Sequence, residues 1–335
     1  MPLKRHQREG DSITKSIDEI DLNIIGTLLK DARKNFNEIA QECNVSTTTI
    51  GERFDQLTKA GIITGSTIQV NYRALGKRIS CSVLVTVDKK EIRQVIAHIQ
   101  KLPYKIATLY QDPKNRIGLI TSLNDVNELS KLKERIKRNK FVNDVRIDVW
   151  TDIKNMPENI DICNRLGIGT KTLNPSDEEE RDVYKLGDVD LQLINVLTQN
   201  SMQAFAKISE QIGISINTVS RKYKKLIHNR IIRPTIQLDL PKLGYYANVS
   251  FALACSSQIE PSDLLRNVLA IKNNYLTIKI NGEYDLLIHI LLRDLDQLLL
   301  TQKQIAQIPG VSRLEMLVYP ALIPWPNRGE YISTF

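Results

Sequence analysis

The apolar residues near the N-terminus recur at helical spacing and predict three short helices. The second helix is predicted to begin at Asn35, with Glu38 at the spacing of a capping box. The third is predicted to begin after Ser46 and to end at Gly61, because glycine commonly terminates a helix. Three short helices with a tight turn before the last are typical of a helix-turn-helix. Residues 62–71 then predict a small β-hairpin, or wing.

The pattern next changes to alternating strands and helices. The predicted strands are 78–87, 105–110, 116–123 and 145–150, and the predicted helices are 91–101 and 125–137. The order β-α-β-β-α-β is typical of a ferredoxin-like domain, with four antiparallel strands and helices on one face of the sheet. The other face of such a sheet needs a partner.

The whole pattern occurs twice along the chain. Residues 45–63 match residues 214–232 at an offset of 169, and the match extends both upstream and downstream. A unit of roughly 135–140 residues is too long for a solenoid repeat and indicates a duplicated pair of domains. The second copy lacks two of the helix signals, because Ala204 replaces the Asn35 cap and Arg230 replaces Gly61.

The repeat predicts an α+β chain with two copies of a winged helix-turn-helix, each followed by a ferredoxin-like domain. The predicted segments are a basic N-terminal tail (1–15), winged helix-turn-helix 1 (16–76), ferredoxin-like domain 1 (77–153), a linker (154–185), winged helix-turn-helix 2 (186–244), ferredoxin-like domain 2 (245–320) and a C-terminal tail (321–335).

Composition narrows the class of protein. The chain has 335 residues, a formal net charge of +8 and an ordinary apolar fraction of 42%. No apolar run approaches the length of a membrane span, and no apolar core follows the basic N-terminus, so we expect a cytoplasmic protein without a membrane partner. The four cysteines are far apart and have no metal or redox spacing, so neither a metal site nor a cofactor is predicted.

The domain order resembles the Lrp/AsnC family of feast-or-famine regulators. The residues that carry the resemblance in the first copy are Ile17, Ile20, Asp21, Ile39, Ala40, Val45, Ser46, Arg53, Leu57, Gly61, Ile62, Ile63, Leu75 and Gly76. In the second copy they are Val189, Asp190, Ile214, Ser215, Lys222, Leu226, Ile231, Ile232, Leu243, Gly244, Gly282, Asp285, Pro309, Gly310 and Val311. The resemblance implies binding of double-stranded DNA through the winged unit and pairing through the sheets of the effector domains, within the chain or as a homo-oligomer. Family members usually hold a single copy, so the fused pair is a departure.

The third helix of each helix-turn-helix is expected to enter the major groove. The predicted DNA-contacting residues are Ser46, Thr47, Thr48, Arg53, Asp55 and Lys59 in the first copy and Ser215, Asn217, Ser220, Arg221, Lys222, Lys224 and Lys225 in the second. Residues 47–61 carry a formal charge of zero, whereas residues 216–230 carry +5. Because phosphate neutralisation supplies much of the affinity for DNA, the second copy should bind more tightly.

The resemblance also implies a ligand loop in the second effector domain. Gly282 and Asp285 have the spacing of that loop, with Glu283 between them, and an amino acid is the implied effector. Glycine is expected there because it accepts a positive φ and lets a ligand approach the backbone. The first copy has Pro113 and Arg116 at the equivalent positions, which predicts that it has lost the pocket.

We therefore predict a sequence-specific DNA-binding transcriptional regulator and no catalytic residues. One alternative is an architectural DNA-organising protein with little sequence preference, which the ratio of specific to non-specific affinity would reveal. A second alternative is an enzyme of the siroheme-decarboxylase type, which shares this domain order. Those enzymes rely on a histidine near the first effector strand, and neither GKRISCSVLV nor GYYANVSFAL contains one.

Overall fold

The computed structural model describes residues 17–71, 79–104, 106–111, 114–155, 159–161, 185–256, 261–321 and 323–329. Its helices are α1 (Glu19–Lys30), α2 (Phe36–Cys43), α3 (Thr47–Lys59), α4 (Ile92–Gln100), α5 (Asn127–Lys137), α6 (Asp188–Gln199), α7 (Phe205–Ile212), α8 (Ile216–His228), α9 (Pro261–Leu269) and α10 (Leu295–Ala306). Its strands are β1 (Ile63–Val70), β2 (Ile79–Val87), β3 (Ile106–Gln111), β4 (Arg116–Leu123), β5 (Val142–Asn155), β6 (Ile232–Leu238), β7 (Ala247–Cys255), β8 (Asn274–Asn281), β9 (Leu286–Leu292) and β10 (Val311–Pro320). The predicted basic tail and the predicted residues Leu75, Gly76 and Pro113 lie outside the described residues.

Helices α1–α3, here called the first head, begin and end at the residues the sequence indicates. Asn35 caps α2 by accepting a hydrogen bond from Asn37 N, while the reciprocal capping box lies one helix earlier, between Asp18 and Asp21. Ser46 caps α3, and Gly61 follows its end with a φ of 67°. The predicted start and end of the third helix are confirmed.

Helices α6–α8, here called the second head, have the same lengths as α1–α3, at 12, 8 and 13 residues. Ser215 caps α8, but Ala204 supplies no side-chain cap to α7. Arg230 has a φ of 52°, close to that of Gly61. The backbone therefore keeps the left-handed residue after this helix even though the sequence has lost the glycine.

The strand that follows each head pairs with its counterpart, and the predicted wing hairpins are wrong for these residues. β1 and β6 form a two-stranded antiparallel sheet, with a register shift near Gly65. A single strand shows the same alternation of side chains whether its partner is local or distant, so the sequence predicted the strand but not its partner.

The pairing of β1 with β6 has local two-fold symmetry. Thr67 lies opposite Thr235, and the residues on either side pair reciprocally, Ser66 with Ile236 and Ile68 with Pro234. Each threonine side chain also donates a hydrogen bond to the other strand's head: Thr67 Oγ1 to Thr198 O at 2.8 Å, and Thr235 Oγ1 to the carbonyl of Leu29 at 2.9 Å. The two heads are thus joined by equivalent contacts on both sides of one axis.

The remaining strands form one eight-stranded sheet in the order β10-β7-β9-β8-β5-β2-β4-β3. β2–β5 with α4 and α5 make the first sheet domain, and β7–β10 with α9 and α10 make the second, each with its own core. The two domains join edge to edge, because β5 pairs with β8 from Val149 opposite Asn281 to Asn155 opposite Leu276. The contact within the chain is therefore a continuous sheet.

Each head packs on the strand that follows the other head. The core of the first head includes Ile236 and Leu238 of β6, and the core of the second includes Ile68 and Val70 of β1. This exchange places apolar residues from both halves of the chain in each core.

Parts of the predicted linker (154–185) and of the predicted C-terminal tail (321–335) pack on the second sheet domain and on the first head. β5 extends to Asn155, so the strand continues into the predicted linker. Asn159 and Asp161 then bond to the second sheet domain, the former through the carbonyls of Leu269 and Asn274. In the predicted C-terminal tail, Trp325 is 2% exposed and lies in the core of the first head.

Candidate nucleic-acid interface

Helix α3 has one buried face and one polar face. Ser46 Oγ accepts a hydrogen bond from Thr49 N at 3.0 Å, which fixes the first turn of the helix. Ile50 and Leu57 are buried in the first head. The exposed residues include the predicted contacts Ser46, Thr47, Thr48, Asp55 and Lys59, together with Glu52. The exposed face of α3 thus has an acidic contribution from Glu52 and Asp55.

Arg53 faces its own head. Its guanidinium lies 2.7 Å from Asp18 and 3.3 Å from the carboxylate of Asp21, which is only 6% exposed. Burial raises the pKa of Asp21, and Arg53 acts in the opposite direction. The main contact of Arg53 is therefore an internal ion pair that ties α3 to α1.

Lys222 has the equivalent position in the second head. Its Nζ lies 2.9 Å from Asp190, whose side chain is 1% exposed and accepts a hydrogen bond from Gly187 N. Removing one partner of a buried pair leaves an uncompensated charge, so both pairs hold their heads together.

Helix α8 presents a strongly basic exposed face. Val219 and Leu226 are buried, and Ser215 Oγ accepts from Thr218 N at 3.1 Å. The predicted contacts Ser215, Asn217, Arg221, Lys224 and Lys225 are exposed, and Ser220 is half-buried. At the positions of Glu52 and Asp55 of α3, this helix carries Arg221 and Lys224.

The charge difference extends over the whole of each head. Residues 17–62 contain eight acidic and five basic side chains, whereas the equivalent residues 186–231 contain three acidic and six basic. The second head is therefore the better surface for a polyanion.

Arg33 joins the two heads and was not predicted as a functional residue. Its guanidinium donates to Ser201 O at 2.6 Å and to Gln203 O at 2.5 Å. It also lies over the rings of Phe205 and Tyr223, at 4.4 and 5.1 Å from their centroids. Burial lowers the pKa of Arg33, and nearby Tyr223 partly opposes this. Alignment of the two matching segments gives one indication of this role, because Arg33 aligns with Met202 and only the first segment has a cation there.

The predicted ligand loop makes internal contacts. Glu283 pairs with Arg146 at 2.6 Å and with Arg313 at 3.2 Å. The Asp285 carboxylate accepts a hydrogen bond from Cys255 N at 2.7 Å. Gly282 itself is next to a carboxylate of the first sheet domain.

The reason for a glycine at position 282 differs from the prediction. Gly282 is not among the described glycines with a positive φ, but a β-carbon there would clash with Asp148 Oδ1. Asp148 is 4% exposed, and burial raises the pKa of its carboxyl. Close approach of a side chain, and not a left-handed backbone, thus requires the glycine.

Arg116, at the equivalent position of the first copy, contacts the second sheet domain. It lies 3.4 Å from Glu315, which also pairs with Lys114 at 2.5 Å. Burial opposes ionisation of Glu315, but hydrogen bonds from Lys114 and Tyr284 and the charge of Arg116 lower its pKa to about 2. These side chains connect β4 and the residues just before it to β10, an edge strand of the sheet.

Among the described residues, no helix is long and apolar enough to cross a bilayer. Within the same residues, no group of three or more His, Cys, Asp or Glu side chains is placed to hold a metal ion.

Comparison with known proteins shows two kinds of similarity. Residues 17–64 match the family model described as winged helix-turn-helix DNA-binding. An uncharacterised helix-turn-helix-type transcriptional regulator of Pyrococcus abyssi is 33% identical over 129 residues, which cover 38% of this chain and 82% of that protein. The helix-turn-helix-type transcriptional regulator LrpC of Bacillus subtilis is 38% identical over 96 residues, covering 27% of this chain and 67% of LrpC.

The second similarity is one of fold across almost the whole chain. The crystal structure of the siroheme decarboxylase NirDL superposes with a TM-score of 0.60 and covers 93% of each chain. The two sequences are only 13% identical, so the likeness shows a shared fold.

Proposed function

This chain belongs to the Lrp/AsnC family of helix-turn-helix transcriptional regulators, and we propose that it regulates transcription by binding double-stranded DNA through two heads in one chain. The observation that carries the proposal is the exposed basic face of α8. Arg221, Lys224 and Lys225 lie on that face, while Val219 and Leu226 of the same helix are buried. A helix that packs one face and offers cations on the other is suited to the phosphates that line a major groove.

The side chains of α8 also offer base contacts. A guanidinium such as that of Arg221 can donate two hydrogen bonds to guanine, and an amide such as that of Asn217 can pair with adenine. Lys224 and Lys225 supply affinity for any sequence, whereas Arg221 and Asn217 favour particular bases. The combination supports a sequence-specific regulator over an architectural protein.

The test measures the dependence of DNA affinity on salt. Replacing Arg221, Lys224 and Lys225 with alanine removes three cations, and each lost phosphate contact lowers the slope of log affinity against log salt by about 0.9. The matched control replaces Glu52, Asp55 and Gln56, the equivalent residues of α3, with alanine. We expect a strong loss of slope in the first variant and none in the second. Equal slopes in both variants would contradict the proposal.

We assign no enzymatic activity, although the fold is shared with a siroheme decarboxylase. Neither β2 nor β7 contains a histidine. The side chains that distinguish this chain are the exposed cations of α8, which suit a polyanion.

An amino-acid response remains a separate prediction for Gly282, Glu283 and Asp285. An ammonium group would use the carboxylate of Asp285, which accepts a hydrogen bond from Cys255 N. A thermal-shift screen of the twenty amino acids tests it, since a ligand at a hundredfold excess over its dissociation constant stabilises by about 2.7 kcal/mol. Asp285→Asn is the informative variant, because it removes the charge and keeps an acceptor for Cys255 N. A shift that is unchanged in this variant would place the ligand elsewhere.

A further inference from the structure

We propose that one chain binds one asymmetric DNA site in a single orientation, with the second head always on the same half of the site. The inference rests on the proposed function, and it specifies the class of DNA that the two heads recognise together. Three observations carry it: the symmetry of the join between the heads, its rigidity, and the different chemistry of the two exposed helix faces.

The first observation is the two-fold arrangement of the heads. The axis passes through the Thr67–Thr235 pair, and equivalent hydrogen bonds run to Thr198 O and Leu29 O. A two-fold pair of helix-turn-helix units is the geometry with which dimers bind two half-sites on one face of DNA. A single chain thus supplies two heads in the positions of a symmetric dimer.

The second observation is that the heads are held in one relative position. β1 and β6 pair along most of their length, and each strand is part of the other head's core. Arg33 adds two hydrogen bonds to carbonyls of the second head and two ring contacts, with the equivalent position held by Met202. Because the join involves buried backbone and side chains, the distance between half-sites is fixed by the fold.

The third observation is that equivalent positions of the two helices carry opposite chemistry. Glu52 and Asp55 of α3 correspond to Arg221 and Lys224 of α8, and Thr48 corresponds to Asn217. Arginine and asparagine match the major-groove edges of guanine and adenine, whereas a carboxylate accepts a hydrogen bond from cytosine. Carboxylates are also repelled by phosphates, which cations attract.

The two heads are related by a two-fold axis, but their exposed helices α3 and α8 carry different side chains. This combination determines which DNA sites the chain binds best. A palindrome presents the same bases to both heads, so at least one head meets bases that it does not match. The tightest site joins two unlike half-sites at one spacing, with guanine and adenine edges facing α8. The chain then binds this site in one orientation only, with α8 on the same half-site each time.

The experiment begins by selecting the tightest site from random DNA with the full-length chain. Three duplexes are compared by fluorescence anisotropy: the selected site and the two palindromes made by doubling each half. We expect the selected site to bind about tenfold or more tightly than either palindrome, since each good base contact contributes about that discrimination. Hydroxyl-radical footprints should be unequal on the two halves, with stronger protection on the half that retains affinity in the presence of added salt.

A variant supplies the converse test. Thr48→Asn, Glu52→Arg, Asp55→Lys and Gln56→Lys together give α3 the exposed chemistry of α8, and its folding is checked by thermal unfolding. We expect this chain to prefer the palindrome built from the half-site of the second head. The comparison of duplexes with the wild-type chain does not depend on this variant.

Each outcome decides the inference. A palindrome that binds wild type as tightly as the selected site, with equal protection of both halves, would overturn it and leave DNA binding intact. A selection that yields no DNA sequence and no salt-sensitive binding would overturn the proposed function as well. The two failures are therefore distinguishable.

Discussion

At the scale of single residues, Arg230 shows how the backbone can retain a feature that the side chain disfavours. Its φ of 52° is close to the 67° of Gly61 at the equivalent position. The left-handed conformation costs an L-residue roughly 1–2 kcal/mol, and glycine almost nothing. Arg230 therefore keeps a strained conformation that ends α8 before β6 begins.

We expect Arg230→Gly to raise the free energy of unfolding by about 1 kcal/mol, because it removes this strain. Denaturant titration followed by circular dichroism measures the change. The matched control is Gly61→Ala, which introduces the strain in the first head and should lower stability by at least as much, because its β-carbon would also displace Lys242 Nζ. A loss of stability in Arg230→Gly would show that contacts of the arginine side chain stabilise the fold by more than the left-handed backbone costs.

His289 of β9 predicts a dependence of stability on pH. Burial lowers its pKa to about 4, and its ring lies beside that of Tyr275. The unfolded chain has the ordinary pKa of about 6.5, so it binds the proton first as the pH falls. The contribution of His289 to stability is thus complete above pH 6.5 and is lost progressively down to pH 4.

At pH 5 this loss amounts to about 2 kcal/mol relative to pH 7, from 1.36 kcal/mol for each unit of pKa difference. Denaturant titrations at both pH values, on wild type and on His289→Gln, isolate the contribution. We expect the variant to lose less stability between pH 7 and 5. The same decrease in both proteins would assign the pH dependence to other groups.

At the scale of elements, the two third helices differ in exposed charge and share a buried face. Glu52→Arg with Asp55→Lys should therefore convert α3 into a stronger DNA-binding helix without disturbing Ile50 or Leu57. We expect higher affinity for non-specific DNA and a salt slope steeper by about two units. Anisotropy at several salt concentrations measures both. An unchanged slope would mean that α3 does not approach the phosphates.

The elements also show which parts of the fold a sequence can predict. Local signals such as Asn35, Ser46 and Gly61 determine where helices begin and end, and these predictions are confirmed. The partner of β1 was not predictable, because pairing with β6 depends on a segment more than 160 residues away. The alternation of apolar and polar side chains predicts a strand, but it does not indicate which strand pairs with it.

The same distinction applies to the candidate site. The exposed basic face of α8 can be predicted from the sequence, because its cations lie on the opposite side of the helix from its buried apolar residues. The contact of Asp148 with Gly282 does not, because it joins two sheet domains through the pairing of β5 with β8. Arg33 likewise acquires its partners, Ser201 and Gln203, only when the heads meet.

At the scale of the whole molecule, the two halves of the chain share their cores and cannot be separated into independent units. β1 pairs with β6, β5 pairs with β8, and Trp325 lies in the core of the first head. Cleavage at a protease site introduced near residue 172 should therefore leave two fragments that remain together.

Size-exclusion chromatography tests this prediction, and we expect both fragments to elute at the volume of the intact chain. Thr67→Val combined with Thr235→Val removes a hydrogen bond on each side of the two-fold axis, at a cost of about 1 kcal/mol each. That variant should weaken the association of the fragments. Separation of the fragments without any such change would mean that the shared cores contribute little.

The packing of Trp325 in the first head has a consequence for biosynthesis. The core of the first sheet domain uses residues 79–147, so it can form soon after that domain leaves the ribosome. The first head, although made earlier, lacks Ile236 and Tyr245 until the second half of the chain is made, and it lacks Trp325 until later still. At usual rates of synthesis, the interval between residues 62 and 325 lasts about 13–50 s. The helices α1–α3 therefore complete their packing only after α4 and α5 have packed on the first sheet domain, and part of their apolar surface stays open to chaperones during that interval.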